Sequence, residues 1–167
     1  MSKLKIVFVC TGNICRSPLA EGVFLARIAK LGIASQFEVD SCGTSSYHVG
    51  SLPDHRAIAA AHKHSIQLNC RARQIVSSDL EYYDFLLVMD HLNYEAILDD
   101  VVDESIRNKV FLLRSFDPST KVEYDVPDPY YGTIADFEEV FKMCERSIDG
   151  FIDYLYNLNI ISPPTSD

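Results

Sequence analysis

The sequence alternates between short apolar runs and longer stretches that place apolar residues at helical spacing. Residues 4–9 form a compact apolar run rich in β-branched side chains, which predicts a buried strand. A helix is predicted directly after it, with Ser17 as N-cap, Pro18 at the first position and apolar residues at helical spacing until Gly32. This part of the chain therefore predicts a strand, a loop and a helix.

The same two patterns continue along the rest of the chain. Further strands are predicted at residues 37–42, 84–89 and 109–113, and further helices at residues 53–64, 91–98 and 134–155. Strands that alternate with helices favour a parallel sheet with right-handed crossovers. We therefore expect one α/β domain over residues 1–167, flavodoxin-like, with a four-stranded parallel sheet, helices on both faces and a flexible tail at about 162–167.

Composition and charge exclude several classes of partner. A chain with 47% apolar and 23% charged residues is typical of a folded globular protein. Its formal charge of −9 argues against nucleic acid or an anionic membrane surface as a partner. No segment approaches the roughly 20 apolar residues that a membrane-spanning helix needs. We therefore expect no nucleic-acid binding and no membrane insertion.

The cysteines bear on the cellular compartment. There are five, at positions 10, 15, 42, 70 and 144, an odd number with scattered spacing. This pattern favours reduced thiols over a disulfide framework, and it lacks the paired ligands of a zinc site. We therefore expect a cytoplasmic protein that needs no metal and no organic cofactor.

The segment CTGNICRS, residues 10–17, lies between the first predicted strand and its helix. Backbone N–H groups of a tight loop and of a helix N-terminus together form a cradle for an anion. Gly12 permits backbone angles that other residues avoid, and Asn13 tolerates a left-handed conformation. Arg16 can bind two phosphate oxygens with its planar guanidinium and neutralise charge in a transition state. The segment therefore predicts a phosphate-binding loop.

Cys10 is the candidate nucleophile of this loop. The positive field of the loop and helix favours its thiolate form, and attack on phosphorus would give a cysteinyl-phosphate. Ser17 can hydrogen-bond the sulfur when it leaves. The alternative is that Cys10 is a buried strand-end cysteine and the loop only a turn. The combination of Cys10 with the other loop residues favours the catalytic interpretation.

This loop resembles the signature of the low-molecular-weight protein tyrosine phosphatase family. The matching residues are Cys10, Gly12, Asn13, Cys15, Arg16, Ser17 and Pro18. The resemblance continues through the pairs Asp40-Ser41, Arg73-Gln74 and Met89-Asp90 and through residues 128–132. It implies the fold expected above, hydrolysis of phosphotyrosine in proteins, and a tyrosine kinase as the opposing partner. It also implies that the phosphate of the substrate is bound by Thr11, Gly12, Asn13, Ile14, Cys15 and Ser17.

Asp128 is the candidate general acid. By the resemblance it would protonate the leaving phenolate and then act as base on the water that hydrolyses the intermediate, a role worth roughly 10²–10⁴ in rate. From the residues alone, Asp128 followed by Pro129 can equally start a turn. Asp125 is a nearby rival for the acid, but it lacks the proline and tyrosine context of the family.

Three tyrosines are candidates for the walls of a substrate slot. Tyr130 and Tyr131 directly follow the acid and its proline, and Tyr47 lies in a polar loop. Stacked on a phenyl ring beside the phosphate, they would select phosphotyrosine over phosphoserine. Adjacent tyrosines can also simply pack a surface, so the wall function depends mostly on the resemblance.

Two cysteines leave questions open. In the family, a loop cysteine beside the nucleophile can form a reversible disulfide with it, but Cys15 can equally be a small loop residue. Cys70 stands where many relatives carry a histidine that braces the counterparts of Asn13 and Ser17. Because a thiol is a weaker hydrogen-bond partner than an imidazole, we expect a looser support of the loop here.

Three other functions are alternatives. Arsenate reductases with this fold and loop need further closely paired cysteines, and Cys42, Cys70 and Cys144 show no such pairing. Protein-arginine phosphatases of the family carry threonine where this chain has Ile14, and they usually lack the double tyrosine. A non-catalytic phosphate-binding module would not need a nucleophile, a clamp and an acid together. The sequence therefore favours a phosphotyrosine phosphatase.

Overall fold

Four parallel strands form the centre of the computed structural model, which describes residues 2–164. They are β1 (Leu4–Cys10), β2 (Phe37–Gly43), β3 (Phe85–Val88) and β4 (Val110–Leu112), and they pair in the order β2-β1-β3-β4. The expected four-stranded parallel sheet is thereby confirmed. The predicted flexible tail lies partly outside the described residues, which end at residue 164.

The described residues include α-helices between and after the strands. They are α1 (Arg16–Lys30), α2 (His55–Lys63), α3 (Ser77–Tyr82), α4 (His91–Leu98), α5 (Glu104–Arg107) and α6 (Ile134–Asn157), with 3₁₀ turns at Ala34–Gln36 and Leu113–Phe116. The sequence pattern does not predict α3 and α5, because helices of six and four residues are too short to show a helical period. Within residues 2–164, no helix combines the length and the apolar character needed to cross a membrane.

Helix α1 begins earlier than predicted. Its N-cap is Cys15, and Ser17 lies buried in the first turn, so the prediction of Ser17 as N-cap is wrong. The reason is that the hydroxyl group of Ser17 is bound by Asn13 and Cys10 and is not free to cap a helix N–H. The end of the helix agrees with the prediction, since Gly32 follows with φ of 73°, a left-handed conformation that suits glycine.

The two faces of the sheet carry separate apolar clusters. Successive residues of a strand point to opposite faces. Ile6, Phe8 and Cys10 therefore join the cluster formed with α1, α2 and α6, whereas Val7 and Val9 join a second cluster that includes residues of α4. Helices thus cover both faces, as expected, and Cys10 faces the side of α1 and α6.

Helix α6 anchors the first face of the sheet. Its Phe137, Phe141 and Phe151 are at most 1% exposed, and each such side chain contributes about 1.5–3 kcal/mol through burial. Gly150 allows the backbone of Phe116 to pack directly on the helix, because a Cβ atom at Gly150 would overlap with the carbonyl oxygen of Phe116. The segment that leads from β4 toward Asp128 is therefore fixed at its start.

Candidate active site

The segment that connects β1 to α1, residues 11–15, lies at the carboxyl edge of the sheet and is called the phosphate loop below. β1 pairs with both β2 and β3, so Cys10 ends a central strand. In a parallel α/β sheet this edge is where ligands bind. Gly43, at the end of β2, allows the loop to approach closely, because a Cβ atom there would lie 2.5 Å from the carbonyl oxygen of Thr11.

Asn13 holds the shape of the phosphate loop. Its φ of 57° is left-handed, as expected for this residue. Its Nδ2 group donates to Ser17 Oγ at 2.8 Å and to Ser41 Oγ at 3.0 Å, and its Oδ1 accepts from the backbone N–H of Arg73 at 3.0 Å. Both Nδ2 hydrogens and the Oδ1 atom of this amide thus tie the loop to α1, to β2 and to the segment before α3.

Gly12 does not have the role that the sequence suggests. The left-handed φ in the loop belongs to Asn13, and Gly12 is not among the residues with positive φ. Its lack of a side chain matters for another reason, since a Cβ atom would lie 3.0 Å from Cδ2 of His48. Gly12 therefore allows the His48 ring to pack against the loop.

The sulfur of Cys10 lies at the centre of the loop and is contacted by polar groups. Ser17 Oγ is 3.0 Å from Cys10 Sγ, and the backbone N–H of Asn13 donates to the sulfur at 3.3 Å. Cys10 is only 2% exposed. Donors aimed at a sulfur stabilise its negative form. The arrangement suits a thiolate that attacks a bound ligand and later acts as the leaving group.

The guanidinium of Arg16 is held from behind. Nη1 donates to Asp90 Oδ2 at 2.6 Å and to the carbonyl oxygen of Val126 at 2.9 Å, and Nη2 donates to Thr11 Oγ1 at 3.3 Å. A guanidinium has five N–H donors. Among residues 2–164, no hydrogen-bond acceptor takes the Nε–H or the second Nη2–H. The Nε and Nη2 groups share one edge of the planar guanidinium, and such an edge can bind two oxygens of one phosphate.

The positive charge of Arg16 is maintained although its side chain is only 2% exposed. Burial works against the charged form, but the charge of Cys10 and the hydrogen bond and charge of Asp90 outweigh it, so the pKa of Arg16 is raised. A smaller contribution comes from Asp128, whose Oδ2 is 3.9 Å from Nη2. The loop therefore contains a permanent cation directed at its anion site.

Asp128 lies across the pocket from the loop, on the segment between β4 and α6. Its Oδ1 accepts from the backbone N–H of Tyr130 at 3.0 Å, which fixes the direction of the carboxylate, and its side chain is 50% exposed. Val126 ties this segment to the sheet, since its N–H donates to the carbonyl oxygen of Met89 at 2.7 Å. Asp125, the rival acid, is engaged outside the pocket, where it binds the backbone N–H and the ring of His91.

Arg56 links the Asp128 segment to the phosphate loop. Its guanidinium donates to the carbonyl oxygens of Tyr130 at 2.9 Å and Gly132 at 3.1 Å, and it binds the carboxylate of Asp54. The N–H of Asp54 in turn donates to the carbonyl oxygen of Ile14 at 2.8 Å. The acid and the loop are therefore held at a fixed separation by the start of α2.

These segments enclose a pocket of about 310 Å³. Its lining consists of Cys10, Thr11, Gly12, Ile14, Cys15, Arg16, Ser45, Tyr47, His48, Asp128, Tyr130 and Tyr131. Ten of the predicted site residues are thus brought together. Asn13 and Ser17, which we expected to bind substrate, do not line the pocket: they lie behind the loop, 1% and 0% exposed, and contact Cys10 instead.

Several residues of the site are missed by sequence reasoning. Arg56, Ser45 and His48 have no local pattern that marks them as functional, and Asp90 entered the resemblance only as part of the pair Met89-Asp90, without a role. Asp90 carries one usable signal, because it directly follows the third predicted strand, where side chains collect at the active edge of a parallel sheet. Its Oδ1 also caps α4 by accepting from the N–H of Asn93.

The remaining cysteines are kept as neutral thiols. Burial is the main cause, and nearby carboxylates add to it, so that the pKa of Cys15 is raised to about 12. All five cysteines are free thiols. Among residues 2–164, no group of three or more histidine, cysteine or carboxylate side chains is placed to hold a metal ion.

Comparison with known proteins gives one consistent result. The family model described as low molecular weight phosphotyrosine protein phosphatase matches residues 5–159. The chain is 37% identical to the mouse low molecular weight phosphotyrosine protein phosphatase over 154 residues, covering 90% of this chain and 95% of that protein. It is 40% identical to low molecular weight protein-tyrosine phosphatase A of Mycobacterium bovis over 153 residues, covering 91% of each.

A solved structure agrees with these sequence matches. The crystal structure of the protein tyrosine phosphatase from Entamoeba histolytica, with Hepes in its active site, superposes with a TM-score of 0.88 at 35% identity and covers 94% of this chain and 99% of that one. The loop geometry, the parallel sheet and the sequence matches agree along nearly the full length. The chain belongs to the low molecular weight phosphotyrosine protein phosphatase family.

Proposed function

We propose that the protein hydrolyses phosphotyrosine in proteins through a cysteinyl-phosphate, with Cys10 as nucleophile, Arg16 as phosphate clamp and Asp128 as general acid and base. The observation that carries this proposal is the convergence of these three side chains on one pocket. Family membership supports the reaction class, and the contacts of each group support its role.

In the first step, the thiolate of Cys10 attacks phosphorus. An S–P bond forms while the bond from phosphorus to the tyrosine oxygen breaks, and Asp128 gives its proton to the departing phenolate. The Nε–H and Nη2–H of Arg16 bind two equatorial oxygens as negative charge spreads over them. Because Asp90 and Val126 already orient the guanidinium, little rearrangement is needed when the substrate binds.

In the second step, water attacks the phosphorus of the intermediate. The carboxylate of Asp128 takes a proton from the water, an O–P bond forms, and the S–P bond breaks to release phosphate and the Cys10 thiolate. The hydroxyl group of Ser17 and the N–H of Asn13 lie within hydrogen-bond distance of the departing sulfur. They therefore stabilise the leaving group of this step.

The pocket favours a phenyl ring beside the phosphate. The apolar Ile14 lines it, and Tyr47 and Tyr131 stand at its mouth with 86% and 96% of their surface exposed. Exposed aromatic side chains can stack on a substrate ring and on the peptide around it. A phosphoserine side chain is shorter than a phosphotyrosine side chain, so it would reach these walls and the sulfur of Cys10 less easily.

A cytoplasmic protein substrate and an opposing tyrosine kinase complete the proposal. The free thiols of all five cysteines support a reducing compartment. A nucleophilic cysteine also needs such a compartment, because oxidised sulfur cannot attack phosphorus.

The test is hydrolysis of a phosphotyrosine peptide in reducing buffer with a metal chelator. We expect turnover by the wild type, no turnover by Cys10→Ser and a loss of about 10²-fold or more in kcat for Asp128→Ala. Asp125→Ala is the matched control, since Asp125 lies close in sequence but outside the pocket, and it should keep wild-type activity.

The wild-type protein is also assayed with a phosphoserine peptide, with phosphoarginine and with arsenate. If the wild type leaves phosphotyrosine intact, the proposal is wrong. Turnover of phosphoarginine or reduction of arsenate would then identify the alternative enzyme, and phosphate binding without turnover would identify a binding module.

A further inference from the structure

The segment that carries Asp128 is long and irregular. In the described part of the chain, no helix or strand lies between Phe116 and Ile134. Holding such a segment in one conformation costs conformational entropy, and it has no ladder of backbone hydrogen bonds to offset that cost. The position of the acid therefore depends on the side chains that bind this segment from outside.

Residues 118–125 are tied to distant parts of the protein at one point. Within residues 2–164, their hydrogen bonds to distant residues are all made by Asp125: its carboxylate binds His91, and its carbonyl oxygen accepts from Nη1 of Arg114 at 2.9 Å. Their remaining hydrogen bonds join residues three or fewer positions apart. Asp125 is therefore where this part of the segment becomes fixed.

The bond from Arg114 fixes a peptide unit that leads into the acid. The carbonyl group of Asp125 and the N–H of Val126 belong to one planar unit. That N–H donates to the carbonyl oxygen of Met89 at 2.7 Å, and Val126 is fully buried. Since both polar groups of the unit are bound, its plane cannot turn freely. The direction in which the chain continues to Asp128, two residues later, is thereby set.

Arg114 is itself held in place. It lies in the 3₁₀ turn Leu113–Phe116, directly after β4, and its side chain is 13% exposed. Its Nε lies 3.7 Å from Oδ2 of Asp117, but this buried N–H has no hydrogen-bond partner among residues 2–164. A buried donor without an acceptor is unfavourable and rare, and it calls for a functional reason. The contact of Nη1 with Asp125 supplies such a reason.

Asp117 does not depend on Arg114 for its charge. Its side chain is fully buried, and its carboxylate accepts from Ser119 Oγ at 2.7 Å and from Arg146 Nε at 3.2 Å. Burial favours the neutral form, but the hydrogen bonds of Ser119 and the charge of Arg146 outweigh it, so the pKa of Asp117 is lowered. The protein should therefore fold without the guanidinium of Arg114.

We propose that Arg114 is a positioning residue that holds the general acid Asp128 at the pocket through the peptide unit between Asp125 and Val126. The proposal rests on the phosphatase function proposed above. Arg56 binds two carbonyl oxygens on the other side of the acid, so a guanidinium holds the segment at each end. An acid must lie within hydrogen-bond reach of the oxygen that it protonates, and a displacement of about 1 Å can cost about 10²-fold. Loss of Arg114 should therefore impair proton transfer more than phosphate binding.

The first test compares kcat/KM of the wild type and Arg114→Gln on phenyl phosphate and on p-nitrophenyl phosphate. Gln is shorter than Arg, so its amide group can stay near Asp117 but cannot reach the carbonyl oxygen of Asp125. Because phenol is a poorer leaving group than p-nitrophenol, its departure depends more on the acid. We expect a loss of about tenfold on phenyl phosphate and of less than about threefold on p-nitrophenyl phosphate. An equal loss on both substrates, or no loss in the folded variant, overturns the proposal.

The same change in an Asp128→Ala background separates the acid from the rest of the site. There, Arg114→Gln should alter kcat/KM on phenyl phosphate by less than about twofold, because no acid is left to misplace. A further tenfold loss overturns the proposal. The inhibition constant of inorganic phosphate reports on the phosphate loop and Arg16. It should stay within about twofold of the wild-type value in Arg114→Gln, and an increase that matches the loss of kcat/KM contradicts the proposal.

Arg146→Gln is the matched control. It removes a guanidinium from the same carboxylate of Asp117, but among residues 2–164 the hydrogen bonds of the Arg146 side chain go to Asp117 alone. It should keep the wild-type ratio of the two substrates even if its melting temperature falls, and the same change of ratio as in Arg114→Gln would contradict the proposal. Arg114→Met also lacks the donor and should behave like Arg114→Gln, so either folded variant decides the question.

The second test does not depend on turnover. NMR relaxation gives the order parameters of the Asp125 and Asp128 backbone amides in the wild type, Arg114→Gln and Arg146→Gln. We expect values near 0.85 in the wild type and in Arg146→Gln, and about 0.6 or lower in Arg114→Gln. Unchanged values in Arg114→Gln overturn the proposal. If the wild type is inactive on every aryl phosphate, the proposed function fails, and these order parameters still decide whether Arg114 holds the segment.

Discussion

Asp90 accepts a partly buried hydrogen bond of 2.6 Å from the Nη1 group of Arg16 and is not among the residues that line the pocket. The two residues are 74 positions apart in the sequence. This contact fixes the plane of the guanidinium, so the two N–H groups directed at the phosphate have a defined position before any ligand binds. The proposed phosphate clamp is therefore a pair of residues, of which only Arg16 lines the pocket.

Asp90→Asn should lower kcat/KM on a phosphotyrosine peptide by about 10–100-fold, because a misplaced group in an active site costs up to about 10²-fold. The asparagine keeps the Oδ1 that caps α4 but can present an NH₂ group to Arg16, which has no acceptor to offer. Steady-state kinetics at pH 6 and 7 measure the effect. Circular dichroism checks that the helix content is unchanged, and wild-type kinetics in a folded variant would contradict the role of Asp90.

Asn13→Ala should unfold more easily than the wild type, by about 2–4 kcal/mol, because it leaves buried hydrogen-bonding groups without partners and puts a strained residue at positive φ. Urea denaturation measures this loss. Asn159→Ala is the matched control, since Asn159 also has φ of 57° but is exposed. If the two variants lose equal stability, backbone strain alone explains the effect, and the hydrogen bonds of Asn13 contribute nothing.

Gly43→Ala should reduce kcat at least about tenfold, since a Cβ atom 2.5 Å from the carbonyl oxygen of Thr11 must displace the phosphate loop or β2. Gly50→Ala serves for comparison. Gly50 has open space for a Cβ atom but a φ of 87°, so this change should lower the melting temperature without lowering kcat. An active Gly43→Ala enzyme would show that the loop tolerates the displacement.

Burial raises the pKa of Glu21, a residue of α1, to about 7, and this gives stability a pH dependence of known sign. Below its ordinary pKa of 4.5, the carboxyl group is protonated in the native and unfolded states alike. Between pH 4.5 and about 7, the unfolded state ionises while the native state keeps its proton, so the native state loses stability as pH rises. Glu21→Gln should therefore gain up to about 2–3 kcal/mol over the wild type at pH 8 and almost nothing at pH 4.5.

Chemical denaturation of both proteins between pH 4.5 and 8 measures this difference. A difference that shrinks as pH rises would contradict the raised pKa.

Alkylation by iodoacetamide at pH 7 should modify Cys10 well before the other cysteines. Burial raises the pKa values of Cys15, Cys70 and Cys144 to about 12 and that of Cys42 further still. A thiol, unlike a thiolate, reacts slowly with this reagent. Peptide mapping by mass spectrometry locates the label, and inorganic phosphate should protect Cys10. Equal labelling of Cys15 would show that its thiol is more acidic than its surroundings imply.

The sequence by itself determined the elements that depend on short stretches of chain. The apolar runs predict all four strands, and the residues from Cys10 to Arg16 indicate a phosphate loop, because nucleophile, backbone cradle and clamp lie within one turn and its helix. Only the tertiary structure decided which distant groups complete the site. Arg56 has no local pattern, and Asn13 and Ser17 are assigned to the support of the loop by their contacts alone.

The physical reason is the range of the interactions. Hydrophobic periodicity and helix termini are recognised from a few consecutive residues. In contrast, Arg16 is oriented by Val126, 110 positions away, and Asn13 is oriented by Arg73, 60 positions away. Such contacts form when parallel strands bring their carboxyl ends to one edge of the sheet. The preference for Asp128 over Asp125 came from the family context in the sequence, and the packing is consistent with it, since the ring of His91 binds Asp125 and the pocket receives Asp128.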